Sequence, residues 1–200
     1  LRHGMRQVPD AVIEAMFNAS LGVLRDHATA VGQRLVLRDH SHSHFCSSKV
    51  DPSSRPTMRA VIERAFPVLA AVTVRHPLDS FLSLHDHGWL HFHPFTVEIY
   101  ARRYMLFLDA HAGLPVFRYE DIVADPALTL RQLCGALDIA FDADAITTIG
   151  AIRLSGDSGR SGDTIAPRER RPVPPAIAKQ ATESATYRRL CERFGYAPGP

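Results

Sequence analysis

The chain has 200 residues, 46% of them hydrophobic, which suits one compact domain spanning residues 1–200 and is too apolar for a disordered chain. Its 23 Lys and Arg stand against 21 Asp and Glu, a formal charge of +2, so bulk charge gives no reason to expect nucleic acid and any anion site must be local. Cys46, Cys134 and Cys191 are widely spaced and lack a C-x-x-C pairing, which argues against a disulfide framework or a cysteine-rich zinc site and for a reducing cytoplasm.

From Pro9 to about Val31, Val12, Ile13, Met16, Phe17, Leu21 and Leu24 recur at helical steps. "RLVLRD" then reads as a short buried strand, closed by the Ser- and Pro-rich loop "SSKVDPSSRPT". A second strand is expected from Val68 to Val74, followed at Pro77 by a helix with Leu78, Phe81 and Leu82 on one face. Phe95 to about Ala112 reads as a longer helix, "LPVFRYE" as a third strand, and Pro126 to Leu137 as a helix through Leu130, Leu133, Cys134 and Leu137. After Ile152 the run "LSGDSGRSGDTIAPRERRPVPP" is too rich in Gly, Ser and Pro for a regular element, and a last helix runs from about Pro175 to Phe194. No run of roughly eighteen apolar residues suggests a membrane span, and the N-terminus has no signal-peptide pattern. Helices alternating with short apolar strands predict an α/β domain, a parallel sheet flanked by helices in three layers, with ligands at the carboxyl ends of the strands.

Three predicted strand ends carry polar groups: Arg38, Asp39 and His40; Arg75 and His76; Arg118, Tyr119 and Glu120. The second is the most informative. A strand-end Arg75 before a Pro-initiated helix with Ser80 and Ser83 in its first two turns makes an anion cradle, because a guanidinium forks oxyanions and a helix N-terminus adds N–H donors. The plainer alternative is that Arg75 pairs with Asp79 or a neighbouring carboxylate and Ser80 caps the helix.

"VTVRHPLDSFLS" resembles the sulfotransferase segment that binds the 3′-phosphate of 3′-phosphoadenosine-5′-phosphosulfate, where a strand-end Arg is followed eight residues later by a helical Ser; here these are Arg75 and Ser83. "PVFRYEDIVADPALTLRQLCGALDI" is similar to the family's strand, acidic turn and helix, and "RDHSHSHF" stands where the family has a basic residue and then a catalytic histidine, matching Arg38 and His40. "SGDSGR" looks like the family's late basic loop over the same phosphate, with Ser158, Gly159 and Arg160 in the matching places. The resemblance covers Pro9 to the end of the chain. It implies a P-loop NTPase-like sulfotransferase fold and transfer of a sulfuryl group from that donor to a hydroxyl on a small molecule or carbohydrate. His40 would take the acceptor's proton, with Arg38 beside it, and no metal would be required.

The family's N-terminal strand and glycine-rich loop, which hold the 5′-phosphosulfate, have no counterpart before Val31, so the resemblance implies an N-terminally incomplete domain that is weak or inactive alone. Two other readings stay open. One is a truncated or degenerate domain acting as a binding module. The other is a histidine-rich metal-binding protein, drawn from His40, His42 and His44 with His85, His87, His91 and His93. "APRERRPVP" adds Arg168, Arg170 and Arg171 as candidates for contacting the nucleotide or an acidic acceptor, against the plain reading of a solvated basic loop.

Overall fold

The computed structural model describes residues 8–39, 44–49, 51–54, 56–148, 165–167 and 169–199. The chain divides into two compact units, Leu1–His44 with Val50–Val68, and Phe45–Lys49 with Leu69–Pro200.

In the first unit, α1 spans Asp10–Ala30 behind Pro9, whose fixed φ suits the residue that opens a helix. Leu21 is its buried residue. It meets α2, Met58–Glu63, a short helix absent from the sequence expectations, whose first turn is capped by the Thr57 hydroxyl accepting from the Ala60 N–H at 3.1 Å. Polar contacts join the two helices: Asn18 Nδ2 donates to the Val61 carbonyl at 3.1 Å, and Arg64 pairs with Glu14. The expected strand "RLVLRD" is corrected here. Residues 33–39 form no strand, and Leu35, Val36 and Leu37 are all exposed, so the run lacks the burial that its apolar character suggested.

The second unit holds the sheet. β1 is Val72–Val74 and β2 is Val116–Arg118, parallel, in register Val72 with Val116 and Val74 with Arg118. Both are shorter than the apolar runs that announced them, and the described residues contain two sheet strands where three were expected. Parallel neighbours require a long crossover. It is supplied by α3, Pro77–Asp86, and α4, Val97–Ala110. β2 runs directly into α5, Tyr119–Ala124, then α6, Pro126–Ala136, capped by the Asp125 carboxylate accepting from the Leu128 N–H at 3.0 Å; α7, Asp144–Thr147, follows.

The expected C-terminal helix is two helices, α8, Pro175–Glu183, and α9, Ala185–Arg193. The break lies at Ser184, which leaves helical geometry (φ −81°, ψ 110°), accepts from the Tyr187 N–H at 3.0 Å as an N-cap, and donates to Glu98 Oε2 at 2.6 Å. α8 and α9 close over α4, burying Val72, Val74, Leu78, Phe81, Leu82, Val97, Tyr187 and Leu190 in one core. Phe81 stacks on Phe95 at 4.7 Å and Phe92 on Phe95 at 4.8 Å, pairs that add about 0.5–1.5 kcal/mol each beyond their burial. Phe81 and Phe92 belong to the core, and Phe95 packs against it. Among the described residues no helix is long and apolar enough to cross a membrane.

Candidate functional site at the carboxyl edge of the sheet

Register brings two of the three predicted strand ends together, because Val74 faces Arg118 and the residues after each leave the sheet at the same edge. Arg75 is exposed. Its guanidinium lies over the Tyr119 ring at 5.1 Å, its backbone N–H points at the Tyr104 hydroxyl at 3.4 Å, and it has no carboxylate partner among the described residues. The alternative in which Arg75 pairs with Asp79 is not what the structure holds: Asp79 is taken by Arg170, whose Nε donates to Asp79 Oδ1 at 3.0 Å. Nor does Ser80 cap the helix; that role falls to His76, whose Nδ1 accepts from the Leu78 N–H at 3.3 Å, with Pro77 at the first helical position. Ser83 lies two turns along α3, half-buried, its backbone carbonyl accepting from His87 Nδ1 at 2.7 Å.

Beside Arg75 is a closed polar network that sequence reasoning did not find. The His76 N–H donates to Glu120 Oε1 at 2.9 Å, and the Tyr196 hydroxyl donates to Glu120 Oε2 at 2.7 Å. His76 Nε2 lies 3.1 Å from the Ala197 carbonyl, which only accepts, so the ring carries its proton there. Nδ1 is then left to accept from Leu78 N–H and from Arg170 Nη2 at 3.1 Å. Burial, with the Arg170 charge, holds the His76 pKa below its usual value. Burial and the adjoining Glu120 push the Tyr196 phenol well up. Arg118 forks Asp121 at 2.6 and 2.8 Å and also donates to the Phe194 carbonyl at 3.1 Å, so its charge is committed. The Asp121 carboxyl is correspondingly held below the usual carboxylate range.

Arg38 is exposed in the first unit, and His40, Ser158, Gly159, Arg160 and Arg168 lie outside the described residues. Arg170 and Arg171 are both engaged with α3, Arg171 Nη1 meeting Asp86 Oδ2 at 2.6 Å. Of the histidines drawn into the metal reading, His42 also lies outside the described residues, while His85 contacts Asp86 at 3.3 Å and His87 stacks by Trp89 at 5.0 Å. Among the described residues no three His, Cys, Asp or Glu side chains are grouped to hold a metal ion.

No family model matches the chain, and no curated protein matches its sequence. Among solved structures, a sulfotransferase domain from the curacin biosynthetic pathway is similar, with a TM-score of 0.59 at 19% identity, over 92% of this chain and 69% of that one. The fold is sulfotransferase-like. At such identity the likeness is one of fold, and it agrees with the parallel strands and crossover helices described above.

Proposed function

We propose that the protein is a sulfotransferase that moves a sulfuryl group from 3′-phosphoadenosine-5′-phosphosulfate to a hydroxyl on a small molecule or carbohydrate. The observation that carries this reading is Arg75: a guanidinium at the carboxyl end of a parallel strand, exposed, stacked on Tyr119 and unneutralised by any described carboxylate, inside a sulfotransferase-like fold. The residues fit the 3′-phosphate end of the donor. Arg75 would fork the phosphate and the Ser83 hydroxyl would donate to it, with Ser158, Gly159 and Arg160 closing from the late loop. The donor, when bound, supplies the activated sulfuryl group. His40 would accept the acceptor's proton, a role suited to a group that titrates near neutrality, and Arg38 would offset charge on the sulfuryl oxygens.

The test is calorimetry with 3′-phosphoadenosine 5′-phosphate on the wild-type chain and on Arg75→Ala, together with transfer of labelled sulfate from the donor to a panel of alcohols and sugars. Nucleotide binding that depends on Arg75 is the expected result. Binding unaffected by Arg75→Ala, or no nucleotide binding at all, would overturn the reading.

A further inference from the structure

The network beside Arg75 joins four stretches far apart in the chain. His76 and Arg170 are 94 residues apart, and His76 and Ala197 are 121 apart. Four contacts draw the C-terminal tail over the sheet's carboxyl edge. Arg118 holds the Phe194 carbonyl, Glu120 the Tyr196 hydroxyl, His76 the Ala197 carbonyl, and Arg170 Nη1 approaches the Gly199 carbonyl at 3.4 Å. Gly195, at φ +67°, makes the turn that lets the tail double back, a conformation an L side chain adopts only under strain. The Tyr196 ring packs on the imidazole at 5.0 Å.

His76 is the one member whose protonation state can undo the arrangement near neutral pH. Its ring is buried, and both nitrogens are used with opposite polarity, Nε2–H as donor and Nδ1 as acceptor. Adding a proton to Nδ1 turns an acceptor into a donor facing two donors, the Leu78 N–H at the start of α3 and the Arg170 guanidinium. It also sets two cations 3.1 Å apart. The charged and titratable groups facing the ring are Arg170, Asp79, Glu120 and Tyr196. Asp79 and Glu120 would favour the imidazolium, but Asp79 already pairs with Arg170, and Glu120 already accepts from the His76 backbone and from Tyr196.

We propose that His76, in its neutral Nε2–H form, is a positioning residue that fastens the Arg75-bearing turn to the C-terminal tail and to Arg170, so that the anion site is held together near neutral pH and loosens in acid. The link to an anion site rests on the function proposed above; the clamp itself does not. The sign follows from the geometry. Because the folded protein disfavours the protonated ring, the stabilisation is present above the unfolded value of about 6.5 and is lost as pH falls below it.

The clamp is read by hydrogen exchange of the Tyr196 amide at the start of the tail, which donates to the Cys191 carbonyl at 2.9 Å, corrected for intrinsic rate, at pH 7.5 and pH 5, with amides of α9 as the internal reference. Wild type should lose protection in the tail roughly fivefold more than in α9, the factor expected for one hydrogen bond. His76→Gln retains a donor for the Ala197 carbonyl and cannot titrate, so its tail should show no acid loss. Tail protection in wild type that does not change with pH overturns the proposal, as does an equal acid loss in His76→Gln. If His76→Gln does not fold, an NMR titration of the wild-type His76 ring decides instead: tail resonances that move with the ring support the clamp, and resonances that ignore it sink it. In a second arm, 3′-phosphoadenosine 5′-phosphate is titrated into wild type and His76→Gln at both pH values, so that the ligand's own titration cancels. An acid loss of affinity confined to wild type supports the positioning role, and equal behaviour while the tail loosens overturns it. No nucleotide binding at either pH, with the tail still following His76, counts against the sulfotransferase reading and leaves the clamp standing.

Discussion

In the unit that carries the sheet, Leu78, Phe81, Leu82 and Phe92 are at most 1% exposed, whereas Val12, Met16, Val23 and Leu24 of α1 range from 46% to 71%. The residue types are alike, so the contrast comes from how much structure each helix has to pack on. α3 and α4 lie under two returning helices, while α1 meets a helix of six residues and is joined to it in part by polar contacts. A helix in water draws most of its stability from a packed face, so equal substitutions in the two units should have unequal costs.

The largest effect should come from Phe81→Ala, which deletes a fully buried ring stacked on Phe95 and is expected to cost about 3–5 kcal/mol in urea unfolding. Val23→Ala in α1 should stay within about 0.5 kcal/mol by the same measurement, and a comparable loss at both sites would break the contrast. Arg75→Ala separates function from stability inside the well-packed unit. It should weaken 3′-phosphoadenosine 5′-phosphate binding by roughly tenfold to a hundredfold, the range for a hydrogen bond to a charged group, and leave the urea midpoint within about 0.5 kcal/mol.

Glu98 gives a pH-dependent version of the comparison. Hydrogen bonds from Ser184, together with those from Arg102 and Thr186, hold its pKa at about 2 against an ordinary 4.5. A carboxylate with a depressed pKa stabilises the fold above its unfolded value and loses that contribution as pH falls. Glu98→Gln should therefore cost about 1 kcal/mol at pH 7, and its deficit relative to wild type should shrink as pH drops from 4.5 toward 2. A small, salt-dependent effect is expected in the first unit: Arg64→Ala removes an exposed ion pair with Glu14 and should cost about 0–1 kcal/mol, less in high salt.

What could be read along the chain was local. The 3.6-residue spacing in "DAVIEAMFNASLGVL" and the prolines at 77, 126 and 175 place the starts of α1, α3, α6 and α8 to within a residue or two, because a helix closes its hydrogen bonds within its own segment. Arg75 was visible for the same reason, standing between a strand of valines and a proline. Strands were harder. "RLVLRD" and "VLAAVTV" look equally strand-like, but only the second finds a neighbouring ladder, and ladder formation depends on residues 44 positions away.

The polar network was legible in single members, His76, Arg118, Glu120 and Arg170, but not in its pairings. Nothing in "RHP" or in "FGYAPG" announces that His76 will meet Ala197, or that Arg170 rather than Arg75 will take Asp79. Composition and periodicity by themselves determined that this chain folds into alternating helices and short strands, with a cationic side chain at a strand end. Tertiary structure alone decided which cations find a carboxylate among the described residues and which do not, because that outcome depends on long-range partners brought within about 3 Å by the packing of α8, α9 and the tail.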